Sequence, residues 1–260
     1  MSYIHNKERN LMPRYFIYFS YDGAAYHGWQ VQPNAVTVQA VLEDALGKLY
    51  RQPIPLVGAG RTDAGVNAEC MVAHGDFPVE IDVSQLVYKL NRMLPPDIAV
   101  KDVRRVRDDA HARFDAISRR YKYRVVTEKS PFARRYACRI MPGVDFEAMN
   151  RAAVLLYEYT DFTSFSKLHT DVKTNNCKVN YAAWRRVGEH EWVFEIEADR
   201  FLRNMVRAIV GTLLLVGRGK MSIDGFRAVI ENRSRADAGD SAIGEALFLV
   251  GVEYPEELFL

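Results

Sequence analysis

Residues 58–68 read Gly-Ala-Gly-Arg-Thr-Asp-Ala-Gly-Val-Asn-Ala, and the rest of the chain is arranged around this stretch. Three glycines and three alanines leave little side-chain bulk around Arg61 and Asp63. Because glycine permits positive φ and close backbone approach, the run predicts a tight loop against a ligand. Asp63 would project into a cleft as a nucleophile or general base, with Arg61 holding it ionised. An ordinary turn with a surface aspartate is the simpler alternative.

The composition is that of a globular protein. The chain has 260 residues, of which 48% are hydrophobic and 26% charged, so it can bury a core as one large domain or two. The N-terminus has no apolar secretory core, and the apolar runs are too short to cross a bilayer. Three cysteines without C-x-x-C spacing disfavour a disulfide framework and a metal site. We therefore expect a cytoplasmic protein without a bound metal.

Positive charge is concentrated in one part of the chain. The net charge is only +2, but residues 104–135 contain eleven Lys or Arg against four Asp or Glu. After Arg235 the chain has no Lys or Arg at all. Such clustering suggests an anionic partner, although a solvated basic face explains it equally well.

The pattern of apolar residues predicts strands interleaved with helices. Thr37 is a good N-cap for a helix whose apolar positions fall on one stripe, and Asp82 and Asp145 stand before two further helices. A last helix is predicted over 222–232. The predicted strands are 14–21, 54–57, 70–77, 98–106, 119–124, 179–187, 192–198 and 247–254. This arrangement indicates an α+β fold.

Three stretches have the side chains of a nucleic-acid site. In residues 119–124, Tyr121 and Tyr123 alternate with basic residues, which suits base stacking beside phosphate contacts, or else a half-buried strand with tyrosines in the core. Residues 166–178 are polar and irregular, with Lys167, Lys173 and Lys178 available to phosphates. An apolar helix predicted from residue 201 places two arginines on one face, where they need an anionic partner.

Five separated stretches match, in order, motifs of the TruA-type tRNA pseudouridine synthases. They are Y-D-G…G-W-Q at 21–30, G-R-T-D-x-G-V-x-A at 60–68, H-A-R-F-x-A…R-R-Y-x-Y at 111–123, D-F-x-S-F at 161–165 and F-x-R-x-M-V-R at 201–207. One position departs from the family pattern, because Asn67 stands where the family has histidine. The chain thus resembles this family over nearly its whole length.

The resemblance implies a fold and a domain organisation. Members of the family have two similar α/β halves, whose mixed, mostly antiparallel sheets join into one central sheet with the active cleft between them. We therefore expect an N-terminal tail over residues 1–13, an N-terminal half over 14–115 that carries the aspartate loop, and a C-terminal half over 116–260.

The resemblance also implies a reaction and site residues. The family isomerises uridine to pseudouridine at positions 38, 39 and/or 40 of the tRNA anticodon stem-loop, without a cofactor, as a homodimer that binds one tRNA across both subunits. By resemblance Asp63 is the nucleophile, Tyr121 stacks on the target base, Arg207 pairs with Asp63, and Arg61 helps the base out of its stack. The expected substrate-binding residues are Tyr121, Arg203, Trp29, Gln30, His111, Arg113, Arg119, Arg120 and Lys167.

Two other functions remain open at this point. A tRNA-binding protein that has lost catalysis would keep the basic segment, but it would not need Asp63 and Tyr121 intact. A carboxylate-dependent nucleoside or glycoside hydrolase would need a second carboxylate near the first, for which Glu69 and Asp76 are the nearest candidates in sequence.

Overall fold

The computed structural model describes residues 12–167 and 174–260. Within these ranges the chain forms nine strands and five α-helices. The strands are β1 (Arg14–Tyr21), β2 (Val57–Gly58), β3 (Asn67–Asp76), β4 (Ile98–Arg105), β5 (Ser118–Val126), β6 (Cys138–Arg139), β7 (Val179–Arg186), β8 (Glu191–Ala198) and β9 (Leu247–Glu253). The helices are α1 (Val38–Tyr50), α2 (Val83–Met93), α3 (Phe146–Val154), α4 (Met205–Gly217) and α5 (Ile223–Asn232). Lys173 and most of the expected N-terminal tail lie outside the described residues.

All nine of these strands belong to one sheet. Seven follow the order β4-β1-β3-β9-β5-β8-β7, while β2 pairs with β3 and β6 pairs with β5. The β3–β9 and β5–β6 pairs are parallel, and the others are antiparallel. The last strand of the chain therefore inserts between β3 and β5 and joins the two parts of the sheet. The predicted α+β fold with a mixed, mostly antiparallel central sheet is confirmed.

Local sequence signals set the starts of three helices as predicted. The Thr37 side chain accepts a hydrogen bond from the backbone N–H of Ala40 and so caps α1, whose buried stripe includes Val38, Leu42 and Leu46. Asp82 and Asp145 cap α2 and α3 in the same way. None of the helices in the described residues is long and apolar enough to cross a membrane.

The buried residues form two large clusters on the sheet. One contains side chains of α1 and α2, and the other contains side chains of α3, α4 and α5. Tyr121 on β5, which is half-buried, packs against both clusters. The expected division of the chain between residues 115 and 116 stays a prediction.

Two strands begin three residues away from their predicted starts. The strand expected over 54–57 is reduced to Val57–Gly58, because prolines at 53 and 55 have no N–H and the Leu56 N–H donates to the Glu43 carboxylate instead, at 2.8 Å. The strand expected from residue 70 begins at Asn67, because Asn67 and Ala68 pair with β9. Because that pairing joins distant parts of the chain, the sequence around residue 67 does not predict where the strand begins.

The arginine helix begins later than its apolar pattern predicts. The helix expected from Phe201 begins at Met205, because Asn204 is left-handed with φ 68°. The Asn204 side chain donates to the Ser241 hydroxyl at 2.6 Å, which holds this turn against a distant segment. Arg203 therefore precedes the helix, and the inference that it shares a helical face with Arg207 was wrong.

Candidate active site

The Y-D-G…G-W-Q motif at residues 21–30 supports one side of the loop formed by residues 58–68. Gly28 has φ 85°, and a Cβ there would lie 2.2 Å from the carbonyl oxygen of Thr62, so only glycine permits this approach. The backbone N–H of Trp29 donates to the same oxygen at 3.4 Å, and the hydroxyls of Tyr21 and Thr62 lie 2.8 Å apart. The residue before Asp63 is thus fixed from three directions.

Asn67 ties the loop to segments on both of its sides. Its side-chain oxygen accepts from the backbone N–H of Gly23 at 2.8 Å, and its side-chain nitrogen donates to the carbonyl of Glu245 at 2.8 Å. The residue is only 2% exposed. At the position where the family motif has histidine, this chain therefore has an amide whose donor and acceptor are both used.

Two arginines approach the carboxylate of Asp63. Nη1 of Arg207 lies 3.0 Å from Oδ2, and its Nε donates to the carbonyl of Ala242 at 2.6 Å. Nε of Arg203 lies 3.8 Å from Oδ1. The Asp63 side chain remains 25% exposed, so its carboxylate contacts the arginines and is also accessible to solvent. The carboxylate therefore has a fixed orientation and is accessible, and a nucleophile needs both properties.

Tyr121 lies beside this carboxylate in the centre of the sheet. It pairs with Ile196 on β8 and Leu249 on β9, and its ring meets Phe201 edge-to-face at 5.1 Å. Burial raises the pKa of Tyr121 to about 12; Arg119 lowers it and the charge of Asp63 raises it further. The hydroxyl is therefore protonated at neutral pH and has a proton to donate.

Arg119 contacts backbone rather than solvent. Its guanidinium donates to four carbonyl oxygens, namely those of Ala59 at 3.1 Å, Ala116 at 2.8 Å, Asp199 at 2.7 Å and Arg113. Burial lowers its pKa. Because its donors are engaged, Arg119 links the loop of residues 58–68 to the segment before α4. This geometry does not favour the phosphate contact expected from the sequence.

The other basic residues of β5 are paired with carboxylates. Arg120 contacts Glu197 at 2.8 and 2.6 Å, and Lys122 contacts Glu69. Arg124 lies 3.9 Å from Glu191 on the neighbouring strand. The basic face of β5 is thus largely neutralised by carboxylates of β3 and β8. This favours a solvated basic face for the strand over the substrate contact expected for Arg120.

Two residues of the N-terminal motif have different environments. Trp29 is only 3% exposed, and its ring packs against Phe19 at 5.3 Å between centroids, so the structure favours a packing role over the expected substrate contact. Gln30 is exposed. Arg61 is also exposed, and its side chain forms no ion pair or hydrogen bond with any described residue.

Three more expected substrate contacts lie at the surface or near it. The ring of half-buried His111 meets His74 edge-to-face at 4.6 Å, and burial lowers the pKa of His111. Arg113 is exposed, with its guanidinium 5.5 Å from the centre of the exposed Phe114 ring. Lys167 is exposed, and its backbone N–H donates to the carbonyl of Arg203 at 3.1 Å.

The candidates for a second carboxylate are engaged elsewhere. Asp76 forms a bidentate pair with Arg14, and Glu69 pairs with Lys122. The Glu245 carboxylate lies against the loop of residues 58–68, where a Cβ at Gly65 would approach it to 3.3 Å. No local pattern in the sequence predicts this contact. Among the described residues, no three His, Cys, Asp or Glu side chains gather as metal ligands.

Comparison with known proteins places the chain in a family. The sequence profile of the tRNA pseudouridine synthases matches residues 152–255. The chain is 60% identical over 247 residues to tRNA pseudouridine synthase A of Bacteroides fragilis, covering 95% of this chain and 98% of that protein. The corresponding protein of Porphyromonas gingivalis is 54% identical over 252 residues, covering 96% of this chain and 100% of that protein. The chain therefore belongs to the tRNA pseudouridine synthase A family and is an isomerase.

Proposed function

We propose that this enzyme converts uridine to pseudouridine at positions 38, 39 and/or 40 of the tRNA anticodon stem-loop, with Asp63 as the nucleophile. The observation that carries the proposal is the Asp63 carboxylate, which is paired with Arg207 yet partly open to solvent. The relatives are tRNA pseudouridine synthases by name, and the motif residues around Asp63 are present in this chain.

The reaction is an isomerisation that needs a nucleophile and proton transfer. The C1′–N1 bond breaks, the uracil turns, and a C1′–C5 bond forms; C5 loses a proton and N1 gains one. Because no electrons are gained or lost overall, Asp63 can begin the reaction by attacking either the ribose or the uracil ring, without a cofactor. Arg207 fixes the orientation of the carboxylate. A fixed orientation lowers the barrier of a nucleophilic step, because the reacting groups are already aligned.

The target base must leave its stack before Asp63 can reach it. Extruding a base costs a few kcal/mol, which stacking and phosphate contacts offset. Tyr121 would stack on the extruded uracil. This role is supported by the edge-to-face contact of its ring with Phe201 and by its closeness to Asp63, whose charge raises the pKa of Tyr121. Arg61 is exposed on the same loop as Asp63, and we assign it the role of displacing the base.

We further propose that the enzyme works in the cytoplasm as a homodimer that binds one tRNA across both subunits. The resemblance to the family supports the dimer, and three unpaired cysteines are in keeping with a reducing compartment. Sedimentation of the protein alone and with one equivalent of tRNA tests the stoichiometry: a monomer binding its own tRNA would contradict it.

Mapping pseudouridine in cellular tRNA tests the proposed function. We expect tRNA from cells lacking the protein to have uridine at positions 38–40, and the parent gene to restore pseudouridine there. Restoration by the parent but not by Asp63→Asn links the modification to the carboxylate. If pseudouridine at all three positions persists in the deletion strain, the site assignment is wrong.

A further inference from the structure

Most cations of the basic segment already have carboxylate partners. Of the eleven Lys and Arg residues in 104–135, seven form ion pairs: Arg104, Arg105, Arg107, Arg120, Lys122, Arg124 and Arg135. Arg119 is engaged with backbone carbonyls. The other three, Arg113, Lys129 and Arg134, have no acidic partner among the described residues. The charge available to a polyanion is therefore concentrated in a few places.

Two of these cations flank the most exposed large apolar side chain of the described residues. Phe132 is 93% exposed, and Lys129 and Arg134, three residues before and two after it, are both exposed. Burial is the usual state of phenylalanine, so a ring this exposed, with these two cations nearby in sequence, is available to a partner. An aromatic face beside cations fits an unpaired base with its neighbouring phosphates.

The segment that carries Phe132 is folded against the body of the protein. Ala133 and Ala137 are buried with Val126, and the N–H of Ala137 donates to the carbonyl of Ala133 at 2.9 Å. The hydroxyl of Tyr136 donates to Asp22 at 2.9 Å. The base of the segment is thus fixed, and the Phe132 ring is held out into solvent.

The anchor also places this segment beside the catalytic loop. Asp22 is bonded by both Tyr136 and Arg135, and it precedes Gly23, whose N–H donates to Asn67 in the loop of Asp63. The segment and the loop of Asp63 therefore share an anchor at residues 22–23. Contacts here would add to those in the cleft without touching the reacting atoms.

We propose that Phe132 stacks on an unpaired base of the tRNA outside the catalytic cleft, while Lys129 and Arg134 contact adjacent phosphates. The proposal rests on the proposed function, because tRNA is the polyanion involved. Stacking holds the base without reading its identity, and the two cations add salt-dependent affinity. The segment thereby positions the tRNA and leaves the chemistry to Asp63.

The test measures tRNA dissociation constants for exposed variants of the full-length enzyme. Phe132→Ala should weaken binding of a tRNA transcript about tenfold or more, while turnover at saturating tRNA stays near the parental value. The double variant Lys129→Gln/Arg134→Gln should make the log–log salt slope shallower by about 1.4, or roughly 0.7 for each lost contact to a single strand.

Matched controls separate this role from general effects of the surface. Tyr88→Ala removes another exposed ring, and Arg185→Gln removes an exposed arginine that is paired with Glu195; neither should change affinity or slope. Because these side chains are at the surface, all the variants should unfold at the parental urea concentration.

Three results would overturn the proposal in distinguishable ways. Parental affinity of the Phe132→Ala variant rejects stacking at this position. Altered sedimentation of that variant without a change in tRNA affinity assigns the ring to contact between two copies of the chain instead. If the parent protein neither binds tRNA nor forms pseudouridine, the proposed function itself fails.

Discussion

Arg207 holds the Asp63 carboxylate and the carbonyl of Ala242 with one guanidinium, at 3.0 and 2.6 Å. The carboxylate belongs to the loop before β3, and the carbonyl belongs to the segment that leads into β9. A planar fork with several donors can bridge two such acceptors, whereas an ammonium group acts as a single point charge. Arg207 thus sets where Asp63 points, as well as compensating its charge.

Replacing Arg207 by lysine tests this bridging role. Arg207→Lys keeps the positive charge but cannot satisfy both acceptors, so we expect turnover to fall by about 10²-fold through misplacement of the carboxylate. The dissociation constant for tRNA should hardly change. Arg203→Lys is the matched control and should have a much smaller effect, because Arg203 lies 3.8 Å from the carboxylate. Parental turnover of the Arg207→Lys variant would show that charge alone matters.

Asn67 should be sensitive to the loss of its donor. In Asn67→Asp a carboxylate oxygen faces the carbonyl of Glu245, so we expect the free energy of unfolding to fall by about 1–3 kcal/mol. Turnover should fall as the loop loosens. Urea denaturation measures the first effect, and single-turnover rates measure the second. Asn67→His, which retains one donor and one acceptor, should lose less of both; the reverse order would contradict the assigned hydrogen bonds.

Arg119 distinguishes positioning from phosphate binding. Arg119→Lys cannot reach four carbonyl oxygens, so we expect turnover to drop about tenfold and the protein to lose on the order of 1–3 kcal/mol of stability. In Arg119→Gln, which removes the charge, the log–log slope of tRNA affinity against salt should remain parental. A slope that becomes shallower by about 0.7 or more would instead identify Arg119 as a phosphate contact.

Tyr121 combines a stacking face with a hydroxyl. Tyr121→Phe keeps the ring, so we expect parental tRNA binding with turnover reduced on the order of 10²–10⁴-fold if the hydroxyl assists proton transfer. Tyr121→Leu should also lose affinity, by roughly 1–3 kcal/mol. Because the pKa of Tyr121 is raised to about 12, its ionisation should leave no limb in the parental pH–rate profile around neutrality. Near-parental turnover of the phenylalanine variant would reduce Tyr121 to a stacking surface.

Local signals predicted much of the fold. N-caps such as Thr37 and Asp82 and the apolar stripes behind them act within a few residues, so α1 and α2 begin where the sequence indicates. The insertion of β9 between β3 and β5 could not be predicted in this way. Pairing between strands so distant in the chain depends on the whole fold, and it also moved the start of β3 to Asn67.

The site was predicted unevenly for the same reason. The motif placed Asp63 near Arg207, and the structure brings them together at 3.0 Å. The role of Asn67 was not foreseen, because its partner Glu245 lies 178 residues away. Charge counting likewise overstated the basic segment: strand pairing sets Arg120 beside Glu197, 77 residues later, and neutralises it.

The most direct measurement is the single-turnover rate of pseudouridine formation by the Asp63→Asn variant on a tRNA transcript. The asparagine keeps the shape of the side chain and an acceptor for Arg207, so folding and tRNA affinity should be nearly parental while pseudouridine formation is abolished. The matched control is Asp76→Asn. Asp76 lies on β3, the same strand as Asn67, and its carboxylate pairs with Arg14, so this variant should retain the parental rate. If Asp63→Asn forms pseudouridine at even about a tenth of the parental rate, Asp63 is not the nucleophile.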